Sequence, residues 1–113
     1  MHSMKVQTKY YRLLKSGEKT IELRLFDEKR QQISVGDEIT FSDLSDSGDS
    51  FKATVLNLYR AKSFRQLCEI IAPRQAGFSS TEELASVMEE FYSPEKQREY
   101  GVVGIEIKKH CNT

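Results

Sequence analysis

Nothing in the 113 residues approaches a run of eighteen apolar side chains, so a membrane-spanning helix is excluded. The opening Met1-His2-Ser3-Met4-Lys5 lacks the apolar stretch of a secretory leader, which makes the cytoplasm the expected location. Cysteine is limited to Cys68 and Cys111, too few for a disulfide framework, and free thiols are expected. Histidine occurs only as His2 and His110, near opposite ends of the chain, which argues against imidazole acid–base catalysis. The adjacent His110-Cys111 has no second pair to complete a zinc site, so no metal is expected. There is no Walker loop, no Gly-x-Gly-x-x-Gly and no Ser/His/Asp order. No cofactor is expected. Net charge is missing too: 17 basic residues balance 17 acidic ones, removing any global pull toward nucleic acid or membrane. Any chemistry falls to Lys, Glu, Asp, Thr, Ser, Tyr or Arg.

What is present is an ordinary globular composition, 38% hydrophobic and 30% charged, outside the range of disordered chains. The charges are segregated. Residues 1–24 and 51–74 are basic, whereas residues 25–50 and 75–100 are acidic. Either the two basic blocks fold together into one basic face, or both signs intersperse on the surface.

Hydrophobic period and punctuation place the elements. Met4 to Gln7 is extended. Thr8 is expected to cap a helix over Lys9–Ser16, with Tyr10, Leu13 and Leu14 on one face and Gly17 just past its end. Thr20–Phe26 alternates, with Ile21, Leu23 and Leu25 on one side and Thr20, Glu22, Arg24 and Phe26 on the other. The polar connector Asp27–Ser34 has room for one helical turn. A turn at Val35-Gly36-Asp37 launches a strand over Glu38–Ser42. Asp43–Ser50 reads as a hairpin tip, returning through Phe51–Tyr59 with Phe51, Ala53, Val55, Asn57 and Tyr59 on one face. Ser63 caps a helix to Ile71, stopped by Pro73. Ser80 or Thr81 opens a helix to about Phe91 in a capping-box arrangement, and Ser93-Pro94-Glu95 starts a short one. Val102–Lys108 closes the chain as a strand.

Because the helices are clustered rather than interleaved with the strands, the order argues for an α+β fold, mostly antiparallel. A terminal strand able to close the sheet favours a small β-barrel flanked by helices. One unit over 1–113 is expected, with a core at about 4–109.

The segment Gly17-Glu18-Lys19-Thr20-Ile21-Glu22-Leu23-Arg24 stands out. Glu22 and Arg24 share a strand face, and Lys19 enters it after a glycine turn. Converging Lys, Glu and Arg suit a phosphate and a base edge: the guanidinium fork matches phosphate, and a carboxylate accepts from exocyclic amines. The same residues also fit an ordinary solvent face carrying an ion pair.

Gly17-x-Lys19-x-x-Glu22-x-Arg24 resembles the signature of the ASCH (activating signal cointegrator homology) domain of the PUA-like superfamily. The resemblance continues through Val35–Phe41, Ser63–Leu67 and Tyr100–Ile107, spanning nearly the whole chain in order. It implies a pseudo-barrel with helices around it and a cleft lined by Lys19, Glu22 and Arg24, with Gly17 as the turn. It also implies RNA or a modified nucleoside or nucleotide as partner, since members are described as RNA-binding, some as ribonucleases, and one bacterial group as N4-acetylcytidine amidohydrolases. Thr20 belongs to the same ligand-binding stretch. Tyr92 and Tyr100, bracketing the last short helix, are candidates to stack a base or else half-buried core. Phe64 and Phe91 are assigned to the core. Lys62 and Arg65 start a helix and are expected to be solvated.

Two classes of function follow. In a binding module, Lys19 and Arg24 meet phosphate or carbonyl oxygens and Glu22 meets base donors. In a hydrolase, of acetylcytidine or of RNA, Lys19 and Glu22 are the catalytic candidates. A protein-binding adaptor is a further possibility. The amidohydrolases that the chain resembles carry a threonine where Glu22 stands and draw a carboxylate from a position aligned with Ala76 or Gly77. Two of their three roles are thus unmatched, which favours binding. As surface charges, Lys19 and Arg24 are expected to be replaceable by alanine with little change in melting temperature.

Overall fold

The computed structural model describes residues 2–45 and 48–111. Among them, five strands form one sheet: β1 (His2–Val6), β2 (Ile21–Leu25), β3 (Glu38–Asp43), β4 (Ser50–Ala61) and β5 (Val102–Lys109). The helices are α1 (Thr8–Ser16), α2 (Phe64–Leu67), α3 (Thr81–Phe91) and α4 (Pro94–Tyr100), with 3₁₀ turns at Arg30–Gln32 and Pro73–Ala76. Strand order is β1-β3-β4-β5-β2. The β1–β3 pair is parallel and the other pairings are antiparallel. This is the mostly antiparallel α+β architecture expected from the sequence. No helix among the described residues is long and apolar enough to cross a membrane.

The sheet curls until its edge strands β1 and β2 approach each other, and the Arg24 guanidinium on β2 donates to the Lys5 carbonyl on β1 at 2.8 Å. Two cores result. Inside the curl lie Met4, Tyr11, Ile39, Phe41, Val55 and Ile105, all buried. Outside it, α2, α3 and the Pro73–Ala76 turn pack on Ile21, Leu23 and Leu25 of β2 and on Val102 of β5. β2 and β5 are therefore covered on both faces, and Val102, which alternates with Val103, is fully buried in the second core. Gly104 of β5 makes this possible: a Cβ there would stand 3.0 Å from Ile21 and 3.4 Å from Leu67.

Local corrections have local causes. Thr8 does not cap α1; it is the first helical residue, and its hydroxyl donates to Asp43 at 2.6 Å. The helix after Ser63 ends at Leu67 rather than Ile71, with Pro73 opening the 3₁₀ turn; Ser63 still caps it, accepting from the Gln66 amide. Ser80 accepts from the Glu83 amide, but the Glu83 carboxylate returns to the Ser79 amide, one residue before the capping-box partner. A β-bulge between Val55 and Asn57 breaks the alternation of β4. Beyond it Asn57 is exposed, and Leu58 rather than Asn57 packs on the inner core. The β3–β4 hairpin tip was expected over Asp43–Ser50; its residues 46 and 47 lie outside the described residues.

The charge blocks pair rather than form one basic face. Lys15 meets Asp49, Lys52 meets Glu38 and Arg65 meets Glu82, each joining a basic block to an acidic one.

Candidate functional site

Three pieces of chain converge at the seam between β1 and β2. Gly17 ends α1 in the left-handed conformation (φ 88°), turning the backbone so that Lys19 runs back beneath the helix. The Lys19 amide donates to the Leu13 carbonyl and the Thr20 amide to the Gln75 carbonyl, fixing the entrance to β2 between α1 and the 3₁₀ turn. Gly77, at φ 90°, packs against the Lys19 stem: a Cβ there would approach Lys19 Cδ and Leu13 Cδ1 to 3.3 Å. This glycine stands where the alignment with amidohydrolases considered a carboxylate.

Lys19, Glu22 and Arg24 form a buried row of ions. Lys19 Nζ lies 3.0 Å from Glu22 Oε1, and Arg24 Nη2 lies 2.8 Å from Oε2. Arg24 Nε donates to the same Oε2 at 2.9 Å, and the Leu23 amide donates to Oε1 at 3.2 Å. Lys19 and Glu22 are each only 4% exposed. That contradicts their placement on a solvent face: Tyr10 of α1 and Gly77 pack on Lys19, and Glu22 is held between Lys19 and Arg24. Burial alone would raise the Glu22 carboxyl, but the charges of Lys19 and Arg24 outweigh it and hold it below the ordinary carboxylate range. The Lys19 ammonium also stands 4.9 Å from the centre of the Tyr10 ring. Burial, reinforced by Glu83 and Glu90, raises the Tyr10 hydroxyl and keeps it protonated.

This row floors a recess of about 240 Å³. Its walls are Tyr10, Phe78, Met88, Phe91 and Tyr92, and its rim includes Lys5, Gln7 and Leu44. The recess is below the roughly 300–1,000 Å³ usual for drug-sized ligands, a size for one flat ring rather than a stack. Of the sequence-derived candidates, Lys19, Glu22, Arg24 and Tyr92 meet here. Thr20 and Tyr100 lie outside the lining; Tyr100 is the last residue of α4, with its ring under Lys96. Phe91, assigned to the core from its place among apolar neighbours, is 45% exposed at the pocket mouth. It is the last residue of α3, with its ring beside that of Tyr92. Tyr10 and Phe78 were missed as site residues, since apolar spacing on α1 marked Tyr10 only as core. Lys62 and Arg65 lie away from this recess, and Arg65 forms a two-pronged pair with Glu82. Among the described residues no cluster of His, Cys, Asp and Glu suits a metal.

The ASCH domain family model matches residues 4–110. The chain belongs to the ASCH domain family. Its fold has close counterparts among solved structures. The crystal structure of hypothetical protein PH0355 is 38% identical, with a TM-score of 0.85 over 96% of this chain and 98% of that one. The solution structure of PF0455 from Pyrococcus furiosus is also 38% identical, with a TM-score of 0.75 over 96% and 97% of the two chains. An S128A variant of ZmASCH from Zymomonas mobilis shares the fold at 13% identity, with a TM-score of 0.69 over 96% of this chain and 67% of that one. No curated protein matches the chain in sequence.

Proposed function

We propose that this ASCH domain binds RNA or a modified nucleoside, taking one base into the recess above Lys19, Glu22 and Arg24. The observation that carries the reading is the combination of a charged, hydrogen-bonding floor with aromatic walls: Tyr10, Phe78, Phe91 and Tyr92 surround it. Every base has a flat face to stack on such walls and oxygen acceptors to meet Lys19 and Arg24.

A hydrolytic role has less support. Among the lining residues there is no Ser, Thr, Cys, His or Asp, and the lone acid, Glu22, is occupied by both neighbouring cations. An amide hydrolase needs a nucleophile and a base with a lone pair to spare.

Titrating the protein with nucleosides, N4-acetylcytidine and short oligoribonucleotides tests both readings. Phe91→Ala removes an exposed ring, so its melting temperature should stay within a few degrees of wild type. It should weaken binding about tenfold, the low end of the roughly 1–3 kcal/mol that base–aromatic stacking supplies. Absence of binding by the wild type, or wild-type binding by both Phe91→Ala and Lys19→Ala, sinks the assignment. Incubation with N4-acetylcytidine should release no cytidine above background; turnover abolished by Lys19→Ala would make this an enzyme.

A further inference from the structure

The Glu22 carboxylate has about four lone-pair positions. The Leu23 amide donates to Oε1 and Arg24 Nε to Oε2, while Lys19 Nζ and Arg24 Nη2 crowd the same two oxygens at 3.0 and 2.8 Å. A carboxylate so placed has no acceptor left for the amino group of a ligand. Glu22 therefore orients the two cations rather than reading the base, which departs from the role its residue type suggests. The charges do not balance either. Lys19 and Arg24 bring two positive charges against one negative, in a site where the three side chains are 4%, 14% and 6% exposed. Among the described residues neither cation has a second carboxylate partner. Glu83 and Glu90 act on the Tyr10 hydroxyl from α3, but both are exposed, and water screens them. Lys5 adds a further positive charge at the rim. A surplus buried charge is costly until something opposite comes to meet it.

Resting on the reading of the recess as a base-binding site, we propose that it receives a base together with an anionic oxygen group of the same ligand. The anionic oxygens accept from Lys19 and Arg24, while the ring lies between Tyr10, Phe78 and the mouth residues Phe91 and Leu44. The chemistry is that of a nucleoside phosphate, either a free mononucleotide or a phosphate within an RNA strand. A ligand that offers only amino donors finds no partner on this floor.

The test is an amide-resolved NMR titration of the intact protein at constant ionic strength, with cytidine, cytidine monophosphate, a short oligoribonucleotide and benzoate. Cytidine monophosphate should bind at least about tenfold more tightly than cytidine, a difference of about 1.4 kcal/mol. The perturbed amides should include those of Tyr10, Lys19 and Leu23. Tighter binding of the oligoribonucleotide than of the mononucleotide identifies RNA as the source, the reverse a free nucleotide; either result supports the proposal. Lys19→Met should erase the phosphate's advantage. Glu22→Gln should keep or increase it, because a cation is freed. A loss of that advantage in folded Glu22→Gln overturns the proposal. If Glu22→Gln does not fold, the comparison of cytidine with its monophosphate in the wild type decides alone. Equal affinity for those two overturns the anionic requirement and leaves base binding intact. Binding of benzoate with no nucleoside, nucleotide or RNA bound overturns base binding and supports the anion receptor.

Discussion

Glu22 stands between two cations at the bottom of the recess, and its removal would leave both buried without a counter-ion. Breaking a buried pair from one side costs on the order of 3–5 kcal/mol. Glu22→Ala should therefore lower the unfolding free energy by about that much, and by more than Lys19→Ala, after which Glu22 keeps Arg24. Chemical denaturation of the variants checks the order; equal, small losses would mean water reaches the row. The expectation that alanine at 19 or 24 leaves the melting temperature unchanged does not survive the burial of Lys19. The pH dependence follows from the depressed Glu22 carboxyl. In the unfolded chain it takes up a proton near pH ~4.3; in the folded protein it does so only at lower pH. Its stabilising contribution is present in full above that unfolded value and is lost as the pH falls through the folded one. Asp37, Asp49 and Glu82 are also lowered, so the acid limb is a sum. Comparing wild type with Glu22→Gln isolates the Glu22 part, and the acid limb of the variant should be shallower.

Two glycines decide how the elements meet. Gly104 brings β5 against Ile21 and Leu67, where an added Cβ would sit at 3.0 and 3.4 Å. Gly104→Ala should destabilise the fold by about 1–3 kcal/mol through overpacking, read by thermal or chemical unfolding. Gly77 is different in kind. Its φ of 90° strains any other residue, and the first atoms its Cβ meets belong to Leu13 and Lys19. Gly77→Ala should shift the Lys19 stem, so ligand affinity should fall along with stability, whereas Gly104→Ala should spare affinity in the folded fraction. Identical affinity losses in both variants would contradict this division. Ser63, Ser80 and Ser93 each accept a hydrogen bond from the amide three residues on, so these helix starts are set locally. The bulge in β4 is not, since it arises where the long strand must bend to pair with both β3 and β5.

As a whole, the molecule is a curled sheet whose edges do not pair, with an arginine across the gap. Arg24 spans from Glu22 on β2 to the Lys5 carbonyl on β1. The recess exists because the barrel is incomplete at this seam, and a sixth strand there would fill it. Arg24→Ala should loosen the seam: hydrogen exchange should accelerate in β1 and at the start of β2, while the inner amides of β4 and β5 change little. Protection lost uniformly across the sheet would show that Arg24 supports the whole fold instead.

Alternation alone identified core positions: Ile21, Leu23, Ile39, Phe41, Val55, Val103, Ile105 and Ile107 are all buried, the first two in the outer core. Gly17, Ser63 and the Ser93-Pro94 start worked for the same reason, because caps and turns depend on a few neighbouring residues. The spacing Gly17-x-Lys19-x-x-Glu22-x-Arg24 also carried the family. Only the tertiary structure decided what covers each face. It buried Lys19 and Glu22 beside Tyr10 and Gly77, left Phe91 at the pocket mouth, and chose Tyr92 over Tyr100 for the pocket lining. A strand's period of two tells which side chains share a face, and nothing within that strand tells which distant segment will lie against it.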